Sequence, residues 1–257
     1  MSVQTIKEML DEQVARINTP SFADSDPVQF PRRYTRLQDV EIAAFLAATI
    51  AWGNRKMILN NAERMFARLG DSPYDFVMNQ GYRSLGQANV HRTFFEPDLA
   101  YMLHGFRQIY STHGTLENFL KSLNIAESDV PAWDLTAALR SEMMHANEAR
   151  HNTKCFPSNS GKSAIKRINL AMRWLVRNDG IVDLGVWTSL KPSQLYIPLD
   201  IHVSNTAREL GILERKTNDR KAVEELTGRL REFCPEDPVK YDFALFGIGI
   251  NRELIQK

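Results

Sequence analysis

Two neighbouring segments decide the fold: ARHNTKCFPSNSGKSAIKRINLAMRWLVR at residues 149–177 and LKPSQLYIPLDIHVSNTARELGIL at residues 190–213. The first segment contains no Asp or Glu, but it contains seven Lys and Arg residues. From Ser163 onward its apolar residues recur with the period of an α-helix, in which successive residues are turned by about 100°. The face opposite these apolar residues carries Lys162, Lys166, Asn169, Arg173 and Arg177. The segment therefore predicts a helix with one buried face and one exposed row of cations.

The second segment places a carboxylate where a helix should begin. Asp200 follows the dipeptide Pro198-Leu199 and precedes an apolar pattern of helical period. Asp is a favoured N-cap residue, and Gly211 is placed to end the helix. We expect a cationic helix followed, a short loop later, by an acidic helix start. That combination suits a protein that works on a polyanion.

Composition limits the class of protein. The chain has 257 residues, of which 43% are hydrophobic and 25% charged, as is ordinary for a soluble globular protein. The net charge of +1 means that any nucleic-acid contact must come from a local patch. Cys155 and Cys234 form neither a disulfide framework nor a four-cysteine metal site. No signal-peptide core is present, and the longest apolar run, residues 42–52, is too short to span a bilayer. We expect a cytoplasmic protein without metal or cofactor and without membrane contact.

Helical signals dominate the whole chain, and no segment alternates long enough to predict a strand. The segment VEIAAFLAATIAW, after Asp39, is apolar on nearly all sides and should be a central helix. We predict an all-α protein of about ten helices that forms one unit over residues 1–257. Two helical lobes within that unit cannot be separated from the sequence. The predicted helices cover residues 3–17, 57–69, 97–111, 116–123, 132–144 and 219–233, and further ones begin near residues 39, 73, 163, 200 and 239.

Three segments resemble the helix-hairpin-helix DNA glycosylase superfamily, whose members include endonuclease III and the adenine and 8-oxoguanine glycosylases. IPLDIHVSNTARELGIL at 197–213 is similar to the family's V/I-P-V-D-T/V-H-V segment and is the most specific of the three. EIAAFLAATIAWGNRKMILNNAERMF at 41–66 resembles an early helix pair, and DPVKYDFALFGIGI at 237–250 resembles the last core helix. KPSQL…PLDIHV together with KRINLAMRWLVR also resembles a mostly bacterial family of uncharacterised proteins.

The resemblance implies a two-lobed helical bundle with the active site between the lobes and with Asp200 as the catalytic carboxylate. The family's L-P-G-V-G-x-K hairpin is missing, because the corresponding region reads NDGIVDLGVW at 178–187. The cluster-binding cysteines are also absent. The spacing is closest to that of archaeal 8-oxoguanine glycosylases, which use a lysine that Lys166 would match. An alternative register puts Arg173 there. Arginine cannot be deprotonated at working pH, so Asp200 would then act alone.

The resemblance implies removal of a damaged base, with an oxidised purine among the candidates, from double-stranded DNA. The base must first be flipped out of the stack. A carboxylate then stabilises the sugar cation, or a lysine attacks C1′. Trp52, at a helix break, is a candidate wedge beside the flipped base, although a core tryptophan would fit the same pattern. The residues predicted to contact the nucleic acid are Lys162, Ser163, Arg167, Asn169, Arg173, Arg177 and Trp52.

Two other classes of protein fit the same pattern. One is a nucleic-acid binder that kept the fold but lost the chemistry. The other is a helical protein-interaction module whose basic face meets an acidic partner. Asp200 would then be only a helix cap, and the cationic row only a solvated surface.

Overall fold

Apolar residues at helical spacing form helices along the whole chain, and the computed structural model, which describes residues 3–255, contains twelve α-helices in that range. They are α1 (Val3–Ile17), α2 (Pro20–Asp24), α3 (Leu37–Ile50), α4 (Arg55–Leu69), α5 (Pro73–Met78), α6 (Glu96–His113), α7 (Leu116–Ser122), α8 (Pro131–Ala146), α9 (Lys166–Val176), α10 (Ile201–Glu209), α11 (Arg220–Phe233) and α12 (Tyr241–Ile255). A short antiparallel hairpin pairs β1 (Asn89–His91) with β2 (Phe94–Phe95). The all-α prediction is confirmed. Across residues 3–255 we find no helix with the length and apolar character that crossing a bilayer requires.

The chain divides into two compact units. One, here called the continuous unit, is Asp24–Ser160. The other, here called the split unit, combines Met1–Ala23 with Gly161–Lys257.

Helix α3 is the centre of the continuous unit, as its apolar sequence predicted. Nearly all of its residues are buried, including Glu41. The Glu41 carboxylate accepts hydrogen bonds from the Tyr110 hydroxyl at 3.0 Å and from the backbone N–H groups of Leu116 and Glu117 at 2.9 and 3.0 Å. Those two N–H groups belong to the first turn of α7 and have no partner within that helix. The buried carboxylate therefore ties α7 and α6 to the central helix.

In the split unit, α12 is the shared support of α1 and α10. Leu10 of α1 is fully buried. The Tyr241 hydroxyl at the start of α12 donates to Asp11 Oδ1 at 3.0 Å, and Lys240 pairs with the same carboxylate at 2.8 Å. Thus the first helix of the chain is part of the core formed by its last hundred residues.

Two features differ from the sequence-based expectation. The cationic helix begins at Lys166 and not at Ser163, because Ile165 has left-handed backbone angles that no α-helix contains. Lys162 therefore lies in a separate 3₁₀ turn, Ser160–Lys162. The region after α9, at residues 178–187, is an irregular loop. Three backbone hydrogen bonds to Trp174 O and Leu175 O fold this loop back on α9.

Candidate functional site

Asp200 begins α10, as the sequence predicted. Its Oδ1 accepts the backbone N–H of Val203 at 2.9 Å and so caps the helix. The preceding segment is fixed, because Ile197 and Leu199 are buried and Ile197 N–H donates to Thr227 Oγ1 of α11 at 3.1 Å. The carboxylate therefore has a set position and still shows 14% of its side-chain surface.

Lys166 is the first residue of α9, and the backbone conformation of the preceding residue, Ile165, determines where the helix begins. Ile165 has φ 41° and ψ 39°, and a β-branched residue rarely adopts such left-handed angles. Its side chain is 6% exposed, so burial of this apolar group holds the strained backbone in place. The turn at Ile165 starts the helix abruptly and places the lysine at its edge. Strain of this kind persists only where the surrounding structure enforces it.

The two residues meet in the split unit. Lys166 Nζ lies 3.3 Å from Asp200 Oδ2, and the two side chains are 28% and 14% exposed. One carboxylate oxygen of Asp200 thus caps a helix while the other faces an amine. An amine beside a carboxylate in a partly open position has the groups that acid–base or covalent chemistry requires. Lys166 is thus paired with Asp200, whereas Arg173 pairs with Asp183 and Asp242. Which of the two matches the family's lysine stays a prediction.

Arg173 and Arg177 lie inside the protein, so the prediction that they belong to an exposed row of cations is wrong. They are 3% and 6% exposed. Their partners are acidic residues of the split unit: Arg173 pairs with Asp183 at 3.2 Å and with Asp242, and Arg177 pairs with Asp183 at 3.0 Å, with Asp237 at 2.8 Å and with Asp179. Both guanidinium groups also lie over the Phe243 ring, 4.4 and 5.5 Å from its centre. These arginines neutralise buried carboxylates and are not exposed to a phosphate backbone.

Asp242 belongs to this buried network through Arg173, and it also interacts electrostatically with the partly exposed pair of Lys166 and Asp200. The network contains four carboxylates but only two guanidinium groups. Burial, with smaller contributions from the charges of Asp200 and Asp183, raises the pKa of Asp242 to about 7 against the opposing effect of Arg173 and Lys166. Burial also raises the pKa of Asp183, although both arginines oppose that shift. The surplus of carboxylates is consistent with a proton held within the network at neutral pH.

The other residues of the predicted cationic row have mixed surroundings. Asn169 is 1% exposed, so its expected exposure is wrong too. Its Nδ2 donates to Ala164 O at 3.2 Å, and its Oδ1 has no hydrogen-bond partner in the described part of the chain. Lys162 is exposed, and Ser163 and Arg167 are partly exposed. Of the residues predicted to contact nucleic acid in this segment, Lys162, Ser163 and Arg167 are therefore the ones that reach solvent.

Trp52 belongs to the continuous unit and lies two residues beyond the end of α3, with its side chain half-buried. The buried ring of His91 meets it edge-on at 5.3 Å, and the Arg92 guanidinium lies 4.6 Å from its centre. His91 Nδ1 is 2.8 Å from Asn61 Nδ2, which can only donate, so His91 Nε2 carries the proton and donates to Trp52 O, also at 2.8 Å. The tryptophan is thus held firmly at a helix end. Its role as a wedge stays a prediction.

The buried acids that partner Arg173 and Arg177 were not predicted from the sequence. A signal was present, since Asp179 and Asp183 follow the two arginines within ten residues. Arg173 and Arg177 also flank the apolar run Trp174, Leu175 and Val176, so burial of the two arginines was as compatible with the sequence as exposure. Within the described residues, no group of three or more His, Cys, Asp or Glu side chains is arranged to hold a metal ion.

Comparison with known proteins identifies the family of the chain but gives no activity for it. No curated protein and no solved structure matches the chain. One family, described as a protein of unknown function (DUF2400), matches residues 26–251. This match takes in all of α3 to α11, including Lys166 and Asp200. The chain therefore belongs to the DUF2400 family.

Proposed function

We propose that this protein is a DNA glycosylase-like enzyme that excises a damaged base, with Asp200 as the essential carboxylate and Lys166 as the nucleophile. The supporting observation is the 3.3 Å approach of Lys166 Nζ to Asp200 Oδ2 at a partly exposed position. The resemblance of residues 197–213 to the glycosylase superfamily gives the reaction class. A two-lobed helix-hairpin-helix glycosylase architecture and a flipped base from double-stranded DNA, with oxidised purines as the first candidates, are part of this proposal.

The chemistry follows from the pair. Lys166 Nζ first gives up a proton to solvent, which leaves a neutral amine beside the ionised Asp200 carboxylate. The amine attacks C1′ of the nucleotide while the bond from C1′ to the base breaks, and the base leaves with the bonding electrons and takes up a proton. Opening of the sugar ring then gives an imine between C1′ and Nζ. The Asp200 carboxylate stabilises the positive charge that develops on the sugar in the transition state.

Binding of the DNA backbone is assigned to the accessible part of the basic segment. Lys162, Ser163 and Arg167 lie at or just before the first turn of α9, near Lys166 in sequence. Arg173 and Arg177 are left out of this role, because they are buried in ion pairs. Ile201, which follows Asp200 and is 57% exposed, is an apolar group that could contact the sugar or the base. Trp52 remains a candidate wedge.

The test is a panel of DNA duplexes, each with one damaged base, incubated with the full-length protein and borohydride. We expect base release from at least one duplex and a covalent adduct, because borohydride reduces an imine to a stable amine. Lys166→Ala should abolish the adduct. Asp200→Asn should reduce base release by about 100-fold or more, with DNA affinity unchanged. Asn is also a good N-cap, so this variant should keep α10 intact.

Asp219→Asn is the matched control. Asp219 also caps a helix, α11, through Ala222 N–H, and it also pairs with a cation, Arg215. Its substitution should leave base release unchanged. DNA binding without base release on the whole panel would favour a non-catalytic nucleic-acid binder. Absence of DNA affinity at low salt would favour a protein-interaction module.

A further inference from the structure

The continuous unit contains a cavity of about 580 Å³. It lies among the first turns of α6, the turn Gly81–Ser84 and the segment that follows α8. Small-molecule sites usually have volumes of roughly 300–1,000 Å³. Every lining residue belongs to Asp24–Ser160, whereas Lys166 and Asp200 belong to the split unit. The cavity is therefore a separate feature that the proposed glycosylase chemistry does not use.

The segment after α8 is held rigidly over this cavity. Glu148 and Ala149 both have left-handed backbone angles, with φ of 56° and 60°, although neither is glycine. Ala149 N–H donates to Met144 O at 2.8 Å, and the Tyr101 hydroxyl donates to Arg150 O at 3.0 Å. Asn147 Nδ2 donates to Tyr101 O and Met143 O. A strained backbone with so many fixed contacts keeps the following side chains at the cavity.

The charge of the cavity is positive. Its one acidic lining residue, Asp98, is fully engaged: Oδ1 accepts Asn152 Nδ2 at 2.8 Å, and Oδ2 accepts Lys154 Nζ at 2.9 Å and a backbone N–H at 2.8 Å. Lys154 and Asp98 thus neutralise each other. Two cations, Arg83 and Arg150, line the cavity without a comparable partner.

The two arginines are accessible to a ligand. Arg83 is exposed and has no ion-pair partner among the described residues. The Arg150 side chain donates to Asn147 O at 3.4 Å, and its one acidic neighbour in the described part of the chain is Glu148, at 3.5 Å. The Arg150 and Glu148 side chains are 76% and 86% exposed. Such an exposed pair is weak, so an anionic ligand can displace it.

Neutral donors complete the lining. Arg140 Nε can only donate, and it donates to His151 Nε2 at 3.0 Å, so His151 carries its proton on Nδ1 and offers that N–H. The Tyr82 ring stacks on His104 at 5.2 Å and forms an aromatic wall. Tyr82 is 6% exposed, and its hydroxyl has no hydrogen-bond partner within residues 3–255. Buried hydroxyls of this kind nearly always have a partner, which a ligand would supply.

We propose that this cavity binds a nucleoside monophosphate, with Arg83 and Arg150 holding the phosphate and the wall of Tyr82 and His104 contacting the base. The uncompensated cations select an anion, guanidinium groups bind phosphate oxygens in pairs, and aromatic side chains contact any nucleobase. The volume accommodates the whole nucleotide and not the phosphate alone.

The experiment is isothermal titration calorimetry of the full-length protein with each of the four 2′-deoxynucleoside 5′-monophosphates. Inorganic phosphate, the corresponding nucleosides and a short single-stranded oligonucleotide are the comparison ligands. We expect saturable binding of at least one monophosphate, and binding at least tenfold weaker for its nucleoside and for inorganic phosphate. Arg83→Gln and Arg150→Gln should each weaken binding about tenfold. Arg16→Gln, the same charge change on the exposed surface of α1, should leave it unchanged.

Tyr82→Phe separates a hydrogen bond from general charge attraction. It removes an unpartnered hydroxyl, so we expect the melting temperature to be kept or raised while nucleotide affinity falls severalfold. The proposal is overturned if no monophosphate binds, if binding survives in the Arg83→Gln/Arg150→Gln double variant, or if only the oligonucleotide binds. None of these results depends on base excision, so the two proposals fail independently.

Discussion

Asp242 is a buried carboxyl group on which opposing effects act, some favouring its charged form and others its neutral form. Arg173 donates a hydrogen bond to it, which favours the carboxylate, while its burial and the neighbouring Asp200 and Asp183 favour the neutral acid. With its pKa raised to about 7, the group changes protonation near neutral pH. Its charge state in turn affects the electrostatic field at Lys166 and Asp200.

We predict that the free energy of unfolding depends on pH through the proton on Asp242. An Asp in an unfolded chain has a pKa of about 4, so between about pH 4 and pH 7 only the folded protein holds the proton. This contribution to folding is complete below the unfolded pKa and is lost as the pH rises to about 7. Urea denaturation should show that the wild type loses about 1 kcal/mol per pH unit relative to Asp242→Asn between about pH 5 and 7.

The control for this profile is Asp71→Asn, which changes an exposed carboxylate. That variant should follow the wild-type pH dependence. Parallel curves for the wild type and Asp242→Asn would show that Asp242 is charged throughout this pH range.

At the scale of single residues, sequence predicted local roles well and burial poorly. Asp200 was predicted as an N-cap, and it caps α10, because capping depends on a few neighbouring residues. Arg173 and Arg177 were predicted to be exposed because a helical projection shows only that they share a face. That face packs on Asp242 and Phe243 in the first turn of α12, far along the chain from α9. No local sequence pattern encodes a contact between residues so far apart.

Among the elements, α9 shows why the first residue of a helix is harder to predict than its buried face. Its apolar face fits the predicted period, but its first residue depends on Ile165, whose left-handed turn follows from burial and not from a glycine or proline signal. The loop returns to α9 through hydrogen bonds from Leu184 and Gly185 N–H to Trp174 O and from Trp187 N–H to Leu175 O. It thereby brings Asp183 to the two arginines.

The loop supplies a prediction with an internal control. Gly180 and Gly185 both have left-handed angles, with φ of 69° and 59°. A Cβ at Gly180 would meet nothing within 4 Å, whereas a Cβ at Gly185 would lie 2.3 Å from Asn178 Cβ and 2.8 Å from its backbone Cα. Gly180→Ala should cost about 1 kcal/mol of stability for the backbone strain alone. Gly185→Ala should cost roughly 2–4 kcal/mol, because overpacking adds to that strain.

Urea denaturation of the two alanine variants at one pH measures this difference. Equal losses would mean that the loop rearranges around Asn178 without cost. The close approach of Gly185 to Asn178 would then be unimportant for the placement of Asp183.

For the molecule as a whole, sequence predicted the class and left the division into units open. The all-α class followed from apolar periodicity, which is a local property. The split unit joins α1 to α12 across most of the chain, and such a pairing leaves no mark in the sequence of either helix. The amphipathic pattern of α1 shows that it must pack against something, but not against which helix.

This division predicts how fragments behave. The continuous unit has its own core around α3, so a fragment of residues 24–160 should be helical by circular dichroism and unfold cooperatively in urea. Residues 161–257 lack α1 and with it the buried Leu10 and the partner of Tyr241 and Lys240, Asp11. That fragment should gain stability on addition of a peptide of residues 1–23. A peptide with Leu10→Ala should give about 2–5 kcal/mol less stabilisation, because it leaves a cavity against α12. A fragment of residues 161–257 that is equally stable with and without the peptide would show that α1 is not part of this core.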